Sequence, residues 1–506
     1  LRRATNPSNA MAPLASLSIP SELSTRPLTT ILPPTENTPS FIITGANRSY
    51  KHQYANIYFI RLRLLRDSVY ERARQRWDGI KGKPVFVPKV LEVEKSKLSY
   101  ILGTVYMDMP LKPNVMEDIA RDSSIPPPLP LSKFFSEDDC VMLEDESGRI
   151  QLVGDRVTKA RLVTGVIIAV LGIETPTGEF EVVDICTAGL ASQSEQPVSE
   201  EGMDVDEAEG WIAVTSGLDI GSDGSADAQI QMLAEYLTGE SGGAKEQASS
   251  ARISRLIIAG NSLAPAVLTT LKSEDDDLEA RKGKRYGYDG GTFSAQPTMT
   301  LSAHLLDIAR TMPVHILPGE SDPSGTILPQ QPFPRAMFGK AASYTTFFCE
   351  TNPTYLRLGS QSGGEPTHRT LLINSGQPVN DMLKYVPSSR STPLSLVAST
   401  LKWRHMAPTA PDTLWCHPYF SADPFVFSET PDLYLVGAQD HFATKVVSEG
   451  ARRCRVVLIP RFSQTGILVL VNLRSLQVKC INFSVMGMAG PASVAESLAV
   501  EAEGKQ

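Results

Sequence analysis

A chain of 506 residues with 42% apolar and 21% charged side chains and a net charge of −8 has a globular composition. It is long enough for two cores, because single cores stop growing beyond roughly 250–300 residues. The mild negative charge excludes chain-wide nucleic-acid affinity, which depends on Lys and Arg neutralising phosphates, and leaves only a local basic patch as a route to DNA.

Six cysteines, Cys140, Cys186, Cys349, Cys416, Cys454 and Cys480, show no C-x-x-C spacing, so reduced thiols are expected rather than a zinc or redox motif. The longest apolar run, residues 162–173, falls short of the roughly 20 residues a membrane helix needs. Neither a membrane partner nor a cofactor is expected.

Residues 1–10 precede the first methionine, Met11, and are set aside. Residues 1–40 as a whole are expected to be a disordered tail, because the Pro, Ser and Thr that dominate residues 11–40 bury little surface against the entropy of ordering. Residues 41–190 form the first predicted unit. Within it, residues 56–77 carry Tyr58, Leu62, Leu65, Val69 and Ala73 at helical spacing. The other faces hold Arg61, Arg63, Arg66, Arg72, Arg74 and Arg76, a candidate DNA or partner patch, although Asp67 and Glu71 interrupt it. Arginine stems covering apolar neighbours on a solvated face explain the same pattern.

From residue 97 to 189 the period shortens to five strands. EDESG and PTGE supply hairpin turns, and a Pro-rich link joins the first two strands, a pattern that suggests a small Greek-key barrel of the OB type. Its strands are poor in aromatics and rich in acids (Asp108, Glu137, Asp138, Asp139, Glu144, Asp145, Glu146), which favours a protein-contacting barrel over one that stacks single strands. LSKFF, residues 131–135, reads as core aromatics.

Residues 191–210 are acidic and nearly free of large apolar side chains, a linker or loop. Residues 211–485 alternate strand and helix, then become strand-rich, which predicts a two-sheet α/β sandwich. Residues 273–297 read as a polar surface insertion, and residues 486–506 as a tail.

Several separated blocks, FIITGANRSYKHQYANIYFIRLRLL, RLVTGVIIAVLG, LIIAGNSL, PGESDPSGTILPQQP and HMAPTAPDTLWCHPYF, closely resemble the second, non-catalytic subunit of eukaryotic DNA polymerase delta. That resemblance implies an OB-fold followed by a calcineurin-like phosphoesterase domain, and a nuclear accessory role in DNA replication and repair synthesis. The implied partners are the polymerase catalytic subunit, through its cysteine-rich C-terminal domain, and a third, clamp-engaging subunit. Contact with DNA is expected to be only weak or indirect. The alternatives are an active metallophosphoesterase or a single-strand-binding OB protein.

The phosphoesterase likeness places that family's metal motifs on named positions. D-x-H falls on Asp219, Ile220 and Gly221, and G-D-x-x-D on Gly260, Asn261 and Ala264. G-N-H-[DE] falls on Gly319, Glu320, Ser321 and Asp322, and G-H-x-H on Gly437, Ala438, Gln439 and Asp440, with His441 one residue beyond. A neutral Asn261 in place of the bridging aspartate cannot supply the charge that holds two dications about 4 Å apart. The expectation is therefore a degenerate site with no catalytic or metal-binding residues, flanked by loops that the Pro-rich run 408–424 orders at the surface. His304, His315, His405 and His417 are expected to be packed rather than catalytic.

Overall fold

The computed structural model describes residues 25–45, 48–51, 53–113, 131–194, 210–222, 226–265, 294–360, 367–388 and 391–484. Its first strand, β1 (Thr29–Leu32), lies inside the segment expected to be disordered and pairs antiparallel with Thr354–Ser360. That expectation is corrected over residues 25–40, because distant partners supply what local composition lacks. The Arg26 guanidinium donates to the carbonyls of Leu237, Ser250 and Ile253. Arg357 donates to the Pro33 carbonyl, Thr35 to Glu429, and Phe41 is buried against Tyr355 and Phe425.

Helix α1 (Asn56–Trp77) follows and stops where Gly79 takes a left-handed φ of 95°, the turn that commonly closes a helix. The barrel strands are β2 (Val85–Phe86), β3 (Ser99–Asp108), β4 (Cys140–Glu144), β5 (Arg149–Val153), β6 (Ile167–Glu174) and β7 (Phe180–Thr187). They run β2-β3-β4-β5-β7-β6, and β3 also pairs with β6, which closes the sheet. The five strands expected between residues 97 and 189 are β3 to β7; the two-residue β2 lies ahead of them. Asp145 fixes the β4–β5 turn by accepting from the Ser147 and Gly148 N–H groups. Short helix α2 (Asp155–Lys159) links β5 and β6. Of the LSKFF run only Phe134 is buried among the aromatics; Phe135 is exposed.

The second unit opens with β8 (Trp211–Thr215), α3 (Asp227–Thr238), α4 (Ala244–Ala251), β9 (Ile253–Ala259), α5 (Gln296–Ala309) and β10 (Val314–Leu317). Every residue of β8, β9 and β10 is buried, as in parallel strands covered on both faces. Next come β11 (Phe347–Cys349), β12 (Thr354–Ser360), β13 (Thr367–Asn374), α6 (Gln377–Tyr385) and α7 (Pro393–Trp403). Thr392 and Ser395 form a capping box ahead of α7, with Pro393 in its first turn. The chain finishes with β14 (Leu433–Gln439), β15 (Ala443–Glu449), β16 (Arg452–Pro460), α8 (Phe462–Thr465), β17 (Ile467–Asn472) and β18 (Val478–Asn482).

Two six-stranded sheets result, ordered β1-β12-β13-β14-β16-β15 and β11-β10-β9-β8-β17-β18. Between them lies an aliphatic core of Ile212, Val214, Ile257, Leu371, Leu435, Val457 and Val469. Helices α3 and α5 cover the outer face of the second sheet.

The first sheet's outer face, with α6 and α7, shares one continuous core with the barrel interior: Ile101, Val105, Leu143 and Phe180 belong with Met382, Leu401, Tyr434 and Val456. The Pro-rich run sits in this junction. Pro408, Ala410, Cys416, His417 and Pro424 of the run are buried, as are Met406, Ala407, Phe425 and Phe427 at its two ends, so the expectation that it orders surface loops is corrected. Only side chains such as Trp415 and Phe420 emerge. Most of the acidic stretch (195–209), most of the polar insertion (273–293) and the tail from 485 lie outside the described residues.

Candidate functional site

Parallel strands place their C-terminal ends, and the loops that follow, along one edge. In the sandwich this edge carries the loops after β8, β9, β10 and β14, and with them Asp219, Asn261, Glu320, Ser321, Asp322, Ala438, Asp440 and His441.

These loops are knitted to one another by the polar groups a ligand would otherwise use. Asp322 is buried; its Oδ1 accepts from the Leu263 N–H at 2.8 Å and its Oδ2 from the Gly319 N–H at 2.8 Å. Burial pushes its carboxyl up to about 6 against the opposing pull of these amides. Asn261 is equally buried, and its Oδ1 accepts from the Glu320 N–H at 3.0 Å. Asp219 takes the Ser463 hydroxyl on Oδ2 at 2.7 Å, and its own N–H reaches the Asn261 carbonyl. Ser216, between the sheets, donates to the Ala259 carbonyl and accepts from the Ala438 N–H.

Three non-glycine residues here hold left-handed φ angles: Asp219 at 47°, Asn261 at 56° and Ala438 at 50°. Such conformations cost on the order of 1–3 kcal/mol each and persist only where surroundings impose them. Gly221 has φ 96°, and a β-carbon there would lie 2.6 Å from the Pro297 ring. A histidine at that position has no room without moving the start of α5. Ala264 donates its N–H to the Ile220 carbonyl and offers no ligand atom. Glu320, Asp440 and His441 are exposed, and Ser321 is half-buried with its hydroxyl shielded and unpartnered among the described residues. Among those residues no three His, Cys, Asp or Glu side chains form a set able to hold a metal ion.

The arginine patch is also redrawn. Arg61 is fully buried, so it leaves the candidate surface. Its Nε pairs with Asp423 at 2.8 Å, and its remaining nitrogens donate to the carbonyls of Gly165, Pro408 and Ala410. Asp423 Oδ2 also lies 2.9 Å from His405 Nε2, while His405 Nδ1 accepts from the Ala407 N–H. That second bond fixes a neutral imidazole with its proton on Nε2. Burial and the neighbouring Arg61 push the His405 pKa down to about 4. Burial alone would raise the Asp423 carboxyl, but His405 and Arg61 hold it well below the usual carboxylate range.

Arg66 reaches Glu146 and the Pro88 carbonyl, Arg72 pairs with Glu449, Arg74 with Glu71 and Arg76 with Asp184. Arg63 is exposed and makes no ion pair among the described residues. The patch is mostly internal cross-links, which a spacing argument on α1 alone cannot show. Arg61 is nevertheless findable, because it falls four residues from both Ile57 and Leu65, on the buried stripe itself. Nothing in the local sequence marks Ser216 or Ser463.

Of the four histidines expected to be packed, His315 is buried between Arg255 and Glu350, and His405 and His417 are buried in the junction. His304 lies half-buried on α5.

Comparison with known proteins places two families on this architecture. Residues 53–185 match the DNA polymerase delta subunit OB-fold domain, and residues 212–444 match the B-subunit family of DNA polymerases alpha and epsilon. The DNA polymerase delta small subunit of Arabidopsis thaliana is 37% identical over 434 residues, covering 85% of this chain and 91% of that protein. The chain belongs to the DNA polymerase delta small-subunit family.

The small subunits of Oryza sativa subsp. japonica (35% identical; 85% of this chain, 93% of that protein) and Saccharomyces cerevisiae (32%; 88% and 92%) align over a similar span. The closed barrel is thus the OB-fold of the delta small subunit, and the edge with the knitted loops falls within the second of the two family matches. Among the described residues no helix is long and apolar enough to cross a membrane.

Proposed function

We propose that this chain is a non-catalytic accessory subunit of DNA polymerase delta, acting in the nucleus in replication and repair synthesis. Its second domain is a phosphoesterase-like scaffold without turnover of its own. It clamps the cysteine-rich C-terminal domain of the catalytic subunit and carries the third, clamp-engaging subunit; polymerisation belongs to the catalytic chain.

Likeness along nearly the full length to named delta small subunits supports the role in the complex. The observation that carries the non-catalytic half is Asp322, whose two oxygens are each occupied by a backbone N–H inside the protein. Asp322 is buried and tied to the loops through both oxygens, and the neutral Asn261 beside it, its Oδ1 accepting from the Glu320 N–H, supplies no charge to bridge two dications.

The test is co-expression of the tagged chain with the two other subunits, followed by mass spectrometry of the purified material and a phosphodiesterase assay with bis(p-nitrophenyl) phosphate and Mn2+. Near-equal recovery of all three chains and no hydrolysis above a metal blank is the expected result. Hydrolysis by the chain alone that disappears in Asp219→Ala would overturn the scaffold reading.

A further inference from the structure

Residues 41–66 include Arg48, Lys51, Arg61, Arg63 and Arg66 and not one Asp or Glu. Residues 413–422, in the Pro-rich run, contain no acid either. The fold brings the two stretches together: Asn56 Nδ2 donates to the Phe420 carbonyl at 2.8 Å, and the Tyr50 ring meets His417 edge-on at 5.3 Å.

Large apolar side chains are left uncovered there. Tyr50 is 61% exposed, Phe59 54%, Trp415 62% and Phe420 62%, and Tyr54 joins them at 46%. Beside Phe59 a cleft of about 160 Å³ opens between α1 and the barrel, lined by Tyr58, Leu62, Val105 and Tyr106 and, on the barrel side, by Glu144 and Asp145. It is sized for one large side chain.

The charge of this face is one-sided. Arg48, Lys51 and Arg63 are exposed and make no ion pair among the described residues. Of the acids that border the face, Asp423 is engaged by Arg61 and His405, Asp412 by Lys112, Asp145 by three backbone N–H groups and Glu144 by Arg149; the exposed Asp67, one helical turn beyond Arg63, makes no ion pair among the described residues. Exposed aromatics at this density mark an interaction surface rather than scattered singles, and cations without local partners call for an acidic occupant.

We infer that this face, where the start of α1 meets the Pro-rich run, docks an acidic segment of another polymerase subunit that inserts an apolar side chain beside Phe59. The inference rests on the accessory-subunit reading and specifies the chemistry of one partner contact. Single-stranded nucleic acid shares part of that chemistry, since bases stack on aromatics in basic surroundings. The side-chain-sized cleft favours a polypeptide.

The experiment compares full-length wild type with two triple variants, Phe59→Ser/Trp415→Ser/Phe420→Ser and Arg48→Glu/Lys51→Glu/Arg63→Glu. A control, Met299→Ser/Lys340→Glu, alters side chains exposed elsewhere. Each is checked by thermal melting and titrated against the purified catalytic and third subunits separately, at two salt concentrations, and against a twenty-nucleotide oligo-dT probe.

The expected result is that both triple variants bind one of the two subunits at least ten-fold more weakly, with the control unchanged and a shallower salt dependence for the charge variant. Unchanged affinity for both subunits overturns the inference and leaves the accessory role standing. Loss confined to oligo-dT also overturns it, in favour of a nucleic-acid face. If the apolar variant fails to fold, the charge variant decides. Wild type that binds neither subunit brings down the accessory role and this inference together.

Discussion

Arg61 sets the residue-scale logic of this chain. A guanidinium wholly out of water is tolerated because a carboxylate and three carbonyls meet its donors, and Asp423 is tolerated only while Arg61 and His405 are in place. Removing one member of such a set leaves an uncompensated buried charge, which costs about 3–5 kcal/mol. Arg61→Ala should therefore lower unfolding stability by about that amount in urea titrations, whereas Arg63→Ala, two residues on and exposed, should stay within about 0.5 kcal/mol. Equal effects of the two substitutions would refute the latch. The contrast also shows where spacing rules stop: α1 has arginines on several faces, and only tertiary partners distinguish a structural cation from a surface one.

At the scale of elements, what is legible follows periodicity. The five barrel strands, β8, β9 and β10 with α3 and α5, and α1 are readable because burial imposes a two- or 3.6-residue repeat on their apolar side chains, whereas α4, with only Ser250 buried, carries no such repeat. Helices α6 and α7 escape it, short segments set among strand-forming runs. The positions proposed from the sequence as a degenerate site meet along one edge, but the hydrogen bonds that close the loops are not readable, since Ser216 and Ser463 lie outside those positions and meet them only in the fold.

Strand β1 escapes for a similar reason. The order of this arm comes from β12, from Arg255, whose guanidinium donates to Thr29, and from Glu429, which accepts from Thr35, all hundreds of residues away, and no window of composition contains them. Phe41, stacked on Tyr355 and Phe425, anchors this arm to the body. Phe41→Ala should cost about 3–5 kcal/mol, as full truncation of a buried ring does. It should also speed amide exchange in β1 and along the β12 edge; exchange rates matching wild type would show that the arm holds without its anchor.

For the whole molecule, the shared core of barrel and sandwich matters more than the two-unit layout. Domains joined by small polar interfaces move independently; here Val105 and Phe180 of the barrel pack in one cluster with Met382 and Tyr434 of the sandwich. Scanning calorimetry should record one cooperative transition for both units, and two separated peaks would show the junction to be weaker than its packing indicates. The arm adds an asymmetry in time. Thr35 bonds to Glu429, 394 residues further along, so on the ribosome the earliest-made part of the ordered body has no seat until most of the chain has been translated. During that interval it is unpaired strand: its ladder with β12 waits until synthesis has passed Ser360, and its bond to Glu429 comes later still.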